Sequence, residues 1–325
     1  MRAFNDRYPR TLYNNALLSR FFAHLFMPNA AHNRHDKSPA PAIRAYLGGS
    51  FDPVHEGHLQ MAMAVYQRLL PIARLQQRDL HVSLLPNSRS PFKQKSTDPA
   101  HRLAMLKLAT LNTPLQINEL ELRQTPPVYT IDSVRTLRER YPNDSLIFII
   151  GMDSALSLGQ WKEGLRLTDY VNLWIFSRPN VNSPSDMDNT LFATKKSNTS
   201  QDTLAIQAKL PIQLQPLVID SPTDLITPSS DMLKASSPLK NAHQGRIYID
   251  TRPIKAVSST QIRQQLQSSK ERPDITHSAD RQMTSVPPTN DIMRPNKSNP
   301  LAKWLNPAVY HYIIAHQLYS AAQFR

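Results

Sequence analysis

Two histidines three positions apart, His55 and His58, close a run rich in small residues: Gly48-Gly49-Ser50-Phe51-Asp52-Pro53-Val54-His55-Glu56-Gly57-His58-Leu59. Imidazole nitrogens can donate hydrogen bonds to phosphate oxygens near neutral pH. Glycines let backbone amides approach a phosphate chain, and a helix start adds unpaired N–H groups and a partial positive charge. The chain holds seven glycines, and three of them fall between positions 48 and 57. Together these features read as a nucleoside triphosphate site. An isolated His-x-x-His is more often a pair of surface or capping histidines, but its place behind a glycine turn that opens a helix favours phosphate chemistry.

The elements that must carry these residues follow from pattern. Ile43 to Leu47 is an apolar strand, and Leu59 to Leu75 has helical periodicity with Pro71 near its end. Leu80 to Leu85 is a strand stopped by Pro86, and a proline-punctuated basic loop runs on to Lys95. Asp98-Pro99 opens a helix over Ala100 to Leu111, Leu115 to Asn118 suits a short strand, and Thr130 to Tyr141 is the next helix. Leu146 to Ile150 is unbroken apolar sequence, as expected of a strand buried on both faces in a parallel sheet, and it ends at a second glycine turn, Gly151-Met152-Asp153. Leu173 to Phe176 and Arg246 to Asp250 add strands, Val257 to Arg263 opens a short helix, and Pro307 to Leu318 reads as a terminal helix. Strand and helix alternate, so the predicted fold is α/β: a doubly wound Rossmann-like parallel sheet with helices on both faces and a small C-terminal helical part, with ligands gathered at the strand ends.

The 325 residues suffice for a sizeable core, yet 27 prolines cluster outside the periodic segments. The expected organisation is a basic N-terminal extension (1–42), a Rossmann-like domain (43–267) with a polar insertion at about 180–245, a Pro/Ser-rich linker (268–300) and a C-terminal helix (301–325). The extension is Arg-rich and amphipathic over Leu12 to Phe26. A transit peptide, a docking helix and a start misplaced upstream of Met27 all suit it. No cysteine is present, which excludes a disulfide framework, a thiolate metal site and a cysteine nucleophile. No apolar run approaches a bilayer-spanning length, and a cytoplasmic protein is expected. The net charge of +13 favours polyanionic partners, nucleotides or nucleic acid among them.

Five blocks in order resemble the bacterial nicotinate-nucleotide adenylyltransferases of the His-x-x-His nucleotidyltransferase superfamily: Gly48 to Leu59, Leu85 to Lys93, Tyr129-Thr130-Ile131-Asp132, Phe148 to Trp161 and Val257 to Arg263. Asn306 to Leu318 is similar to that family's last helix. The sequence departs from the pattern in its long extension, in the stretches after Arg178 and Ser268, and in reading Ser90-Pro91-Phe92-Lys93 where two prolines are common. The resemblance implies transfer of the adenylyl group of ATP to nicotinate mononucleotide, with release of pyrophosphate. It implies His55 and His58 as catalytic residues. It implies an ATP and phosphate set of Gly49, Ser50, Phe51, Lys93 (with Lys95 in the same loop), Asp153, Arg178, Ser258, Ser259 and Arg263. Tyr129, Thr130 and Trp161 would hold the nicotinate nucleotide. Ser258 and Ser259 also suit plain N-capping, and Trp161 a half-buried core position.

Mg²⁺ is expected as the ATP complex, with no protein metal site. ATP and nicotinate mononucleotide are the expected partners, with no stable nucleic-acid partner and homo-oligomerisation left open. Two alternatives are another adenylyl- or cytidylyltransferase acting on nicotinamide mononucleotide or phosphopantetheine, and a nucleic-acid-binding protein. The Tyr129-Thr130/Trp161 block argues against phosphopantetheine. Against the nucleic-acid reading, aromatic residues do not interleave with the basic ones.

Overall fold

The computed structural model describes residues 40–88, 96–177, 204–226, 245–270 and 300–319. Seven strands form one sheet: β1 (Ile43–Gly49), β2 (Leu80–Pro86), β3 (Gln116–Ile117), β4 (Ser145–Gly151), β5 (Asn172–Phe176), β6 (Val218–Ile219) and β7 (Ile247–Asp250). Their order is β3-β2-β1-β4-β5-β7-β6, and every pairing is parallel. The helices are α1 (Glu56–Leu75), α2 (Pro99–Thr110), α3 (Thr130–Arg140), the single-turn α4 (Met152–Leu156), α5 (Ser259–Lys270) and α6 (Pro307–Ala315).

The unbroken apolar run of β4 is explained by its two faces. Leu146, Phe148 and Ile150 point into a core shared with Ile131, Val134 and Leu137 of α3. Ile147 and Ile149 point into the opposite core, with Val65 and Leu69 of α1 and Met105 and Leu106 of α2. Strand side chains alternate with period two, so a strand covered on both sides needs apolar residues at every position. Ile131, Val134 and Leu137 are each 0% exposed; such burial is worth roughly 1.5–3 kcal/mol per side chain. Local signals set the helix starts. Asp98 accepts a hydrogen bond from Ala100 N (2.7 Å) ahead of Pro99, and Asn306 accepts one from Ala308 N (2.9 Å) ahead of Pro307.

Two features go beyond the sequence reading. Residues 204–226, inside the stretch read as a polar insertion, seat Leu210 and Leu214 in one core and Leu225 and Ile226 in the other, and they supply β6 as the seventh strand. Two paired residues are too few to show a period. The C-terminal segment shares the core of β1, α1 and α2, because Val309, Ile313, Leu318 and Tyr319 are all buried there. No helix among the described residues is long and apolar enough to cross a membrane.

β1 lies between β2 and β4, so the chain leaves it first toward one sheet edge and later toward the other. At such a switch point the loops after the two central strands diverge and leave a crevice at their carboxyl ends. Here those loops follow Gly49 and Gly151.

Candidate active site

The loop from Gly49 to His55 turns sharply. Phe51 takes a left-handed backbone (φ 48°), and Asp52-Pro53 is a cis peptide. The Phe51 side chain is 1% exposed and sets its ring edge-on against His58, 4.9 Å between centroids. A buried aromatic anchor of this kind offsets the cost of a left-handed non-glycine residue. His55 and His58 then stack, with centroids 3.6 Å apart and planes 20° from parallel. His58 Nδ1 accepts a hydrogen bond from His55 N at 3.3 Å. In the neutral ring the proton therefore sits on Nε2, which is a donor. Gly57 makes room for this pair: a Cβ there would come within 3.1 Å of His55 Nδ1 and 3.2 Å of the Lys255 carbonyl.

The same loop is held from four directions. Arg102 of α2 is 0% exposed, and its guanidinium donates to the carbonyls of Ser50 (2.8 Å), Asn87 (2.8 Å), Ser88 (2.6 Å) and Thr97 (3.0 Å). It thereby ties the loop after β1 to the loop after β2. Burial lowers the Arg102 pKa, and the Asp52 carboxylate acts in the other direction. Asp52, 2% exposed, accepts from Tyr319 Oη at 2.8 Å and from Thr97 N at 3.2 Å. Arg263 of α5 donates to Asp52 O at 2.6 Å, and Ser259 Oγ donates to Pro53 O at 2.9 Å. Burial, and then the Asp52 charge, push the Tyr319 phenol up, so it stays a donor. Charge-assisted bonds in a dry setting are the strong kind, and they fix the histidine backbone within the fold.

A cavity of about 570 Å³ opens at the ends of β1 and β4. Of the residues singled out in the sequence, Gly49, Ser50, His55, His58, Tyr129, Thr130, Asp153, Trp161, Ser258 and Ser259 all line it. Phe51 stands behind the histidines as their support. Arg263 braces the loop through Asp52 O and bonds Thr260 Oγ1 at 3.2 Å. Lys93, Lys95 and Arg178 lie outside the described residues. Ser258 caps α5: its Oγ accepts from Gln261 N (3.2 Å), and its N–H donates to Gln261 Oε1 (3.0 Å). The capping reading of this serine thus holds, and the residue also lines the cavity. Gly151 clears space for Asp153, whose Oδ1 would lie 2.6 Å from a Cβ at position 151.

The sequence profile of the cytidylyltransferase-like family matches residues 46–265. The "Probable nicotinate-nucleotide adenylyltransferase" of Idiomarina loihiensis is 30% identical over 227 residues, covering 69% of this chain and 88% of that protein. The protein of the same name from Pseudoalteromonas atlantica is 30% identical over 281 residues, covering 86% and 95%. The chain belongs to the nicotinate-nucleotide adenylyltransferase family. A solved structure, "Plasmodium falciparum nicotinic acid mononucleotide adenylyltransferase complexed with NaAD", aligns over 86% of this chain and 97% of its own at 18% identity, with a TM-score of 0.48.

This adenylyltransferase-family chain also has site residues that the sequence reading passed over. Arg102 shares the buried face of α2 with Met105, Leu106 and Ala109; an arginine in that apolar stripe is the signal that could have found it. Glu121 lines the cavity at 6% exposure and accepts a hydrogen bond from Ser133 Oγ at 2.7 Å. Burial pushes its carboxyl up to about 7, and the Ser133 bond acts against that rise. Asn87 and Lys162 line the cavity as well. Lys162 immediately follows Trp161, and a cation beside a candidate ring platform is a signal the sequence does carry.

Proposed function

We infer that this chain transfers the adenylyl group of ATP to nicotinate mononucleotide, giving nicotinate adenine dinucleotide and pyrophosphate, a step of NAD biosynthesis. The observation that carries this reading is that one cavity is lined both by the stacked histidines and the start of α5 and by Tyr129, Thr130 and Trp161.

In this reading a phosphate oxygen of the mononucleotide attacks the α-phosphorus of ATP. The new P–O bond forms as the bond to the bridging oxygen of pyrophosphate breaks, and the leaving group carries away the electron pair. No protein nucleophile takes part, so the rate rests on in-line placement and on stabilising charge that grows on phosphoryl oxygens. His58 donates from Nε2, and His55 stacks against it as its partner in contacting the phosphates. Gly49, Ser50 and Phe51 offer backbone at the turn. Ser258, Ser259 and the N-terminus of α5 face the β- and γ-phosphates, with Lys93, Arg178 and Arg263 completing the cationic set. Asp153 accepts from a ribose hydroxyl. Trp161 supplies a flat face for the pyridine ring, and the first-turn amides of α3 at Thr130 receive its carboxylate. Mg²⁺ enters as part of the ATP substrate, and the enzyme is cytoplasmic in this reading.

The test is pyrophosphate release from MgATP with nicotinate mononucleotide, nicotinamide mononucleotide or phosphopantetheine as acceptor. Turnover with the first, exceeding the other two, is expected. No turnover with nicotinate mononucleotide would refute the reading.

A further inference from the structure

Lys162 is the one lysine or arginine among the described residues that line the cavity. Its Nζ lies 4.5 Å above the centre of the Tyr129 ring and 3.1 Å from Asp132 Oδ2. Asp132 is not its captive, because Arg135 Nη1 lies 3.5 Å from the other oxygen of that carboxylate. Lys162 can therefore turn toward a ligand without stranding an unpaired anion. Arg135 and Arg166, the other cations nearby, are both held by Glu163, at 2.6 and 2.8 Å. Among the described residues that line the cavity, the positive charge beside Tyr129 is thus that of Lys162.

A pyridine ring bonded through nitrogen to ribose is a cation. With a carboxylate on the ring it is neutral overall; with a carboxamide it keeps its positive charge. An ammonium beside the ring's substituent attracts the first and repels the second, so one group both rewards the right ligand and penalises the wrong one. We propose that Lys162 is a specificity-determining residue that selects the carboxylate-bearing ring over its carboxamide counterpart. This rests on the nicotinate reading above and adds to it the source of the discrimination.

The side chains of Lys162 and Asp132 are 46% and 42% exposed. Water screens a charge so placed, and an effect of about three- to tenfold is expected rather than several orders of magnitude. The experiment is steady-state kinetics at saturating MgATP with nicotinate and nicotinamide mononucleotides, on the wild type, Lys162→Met and Lys162→Arg. Methionine keeps an apolar stem of similar reach and removes the charge; arginine restores it. The expected result for Lys162→Met is a KM for nicotinate mononucleotide raised about three- to tenfold with kcat unchanged, and a KM for nicotinamide mononucleotide unchanged or lowered. Lys162→Arg should keep the wild-type preference. Equal changes toward both substrates, or no change toward either, overturn the assignment, because a packing role would move both together. A wild type that uses nicotinate mononucleotide while Lys162→Met keeps the same preference sinks only the Lys162 assignment. A wild type inactive on nicotinate mononucleotide takes down the functional reading and this inference with it.

Discussion

Replacing Glu121 by glutamine should abolish a pH dependence of stability that the wild type carries in a single buried carboxyl. Glu121 is 6% exposed, and burial raises its pKa from 4.5 to about 7. Below pH 4.5 the group is protonated whether the chain is folded or unfolded, and its contribution is fully present. Between pH 4.5 and about 7 the unfolded chain releases the proton while the folded chain retains it, so stability falls as pH rises. Above about 7 the folded protein must bear a buried charge, and the loss is complete. The difference between the two pKa values corresponds to about 3 kcal/mol, from about 1.4 kcal/mol per unit. Glutamine mimics the protonated acid: its carbonyl can accept the Ser133 hydroxyl bond, now 2.7 Å long, and it cannot ionise. Urea unfolding of both proteins between pH 4.5 and 8 isolates the effect, since every other titrating group is common to the two. Glu121→Gln should gain about 3 kcal/mol relative to wild type across that range, most of it between pH 5 and 7. A stability difference that stays flat with pH would show that Glu121 is ionised in the folded state, and the burial argument would fail.

Three other perturbations probe the loop and the cavity. His58→Ala should lower kcat by at least about tenfold with an unchanged melting temperature, as loss of a phosphoryl-oxygen donor predicts; wild-type turnover would remove this residue from the chemistry. Arg102→Met should destabilise the protein by about 3–5 kcal/mol in denaturant titrations, because four carbonyls lose their buried donor; a loss under about 1 kcal/mol would mean that the loops do not depend on it. In Gly151→Ala the new Cβ meets only the movable tip of Asp153 within 3 Å. Its expected signature is a KM for ATP raised several-fold, with a melting temperature within about 2 °C of wild type; an unchanged KM would argue against Asp153 as a nucleotide contact.

Much of the fold was legible because its signals are local. The glycines that end β1 and β4, the prolines at the first positions of α2 and α6, and the unbroken apolar run of β4 each act over a handful of residues. β6 was not legible, since two residues cannot display a period, and their place is set by pairing with β7. The candidate site divides along the same line. Lining residues that sit at strand ends and helix starts were legible from two sources: His55 from the turn and helix start that carry it, and Tyr129, Asp153 and Ser258 from the blocks that resemble the family. Arg102 and Glu121 were not, because the role of a buried ionisable group becomes intelligible only with its partners in view, even where, as for Arg102, the apolar stripe around it marks the position.

By itself, then, the sequence determined a strand, a glycine turn and a helix that present two histidines, and the alternation that makes a parallel sheet. The tertiary structure decided what holds that turn and what charge surrounds it. Tyr319 donates to Asp52 across 267 positions, and Arg102 gathers carbonyls from three separate segments. Lys162 comes to lie over Tyr129, 33 positions earlier in the chain. The reason is physical: periodicity and turn preference depend on neighbours along the backbone, whereas hydrogen bonds, burial and charge pairing depend on distance in space.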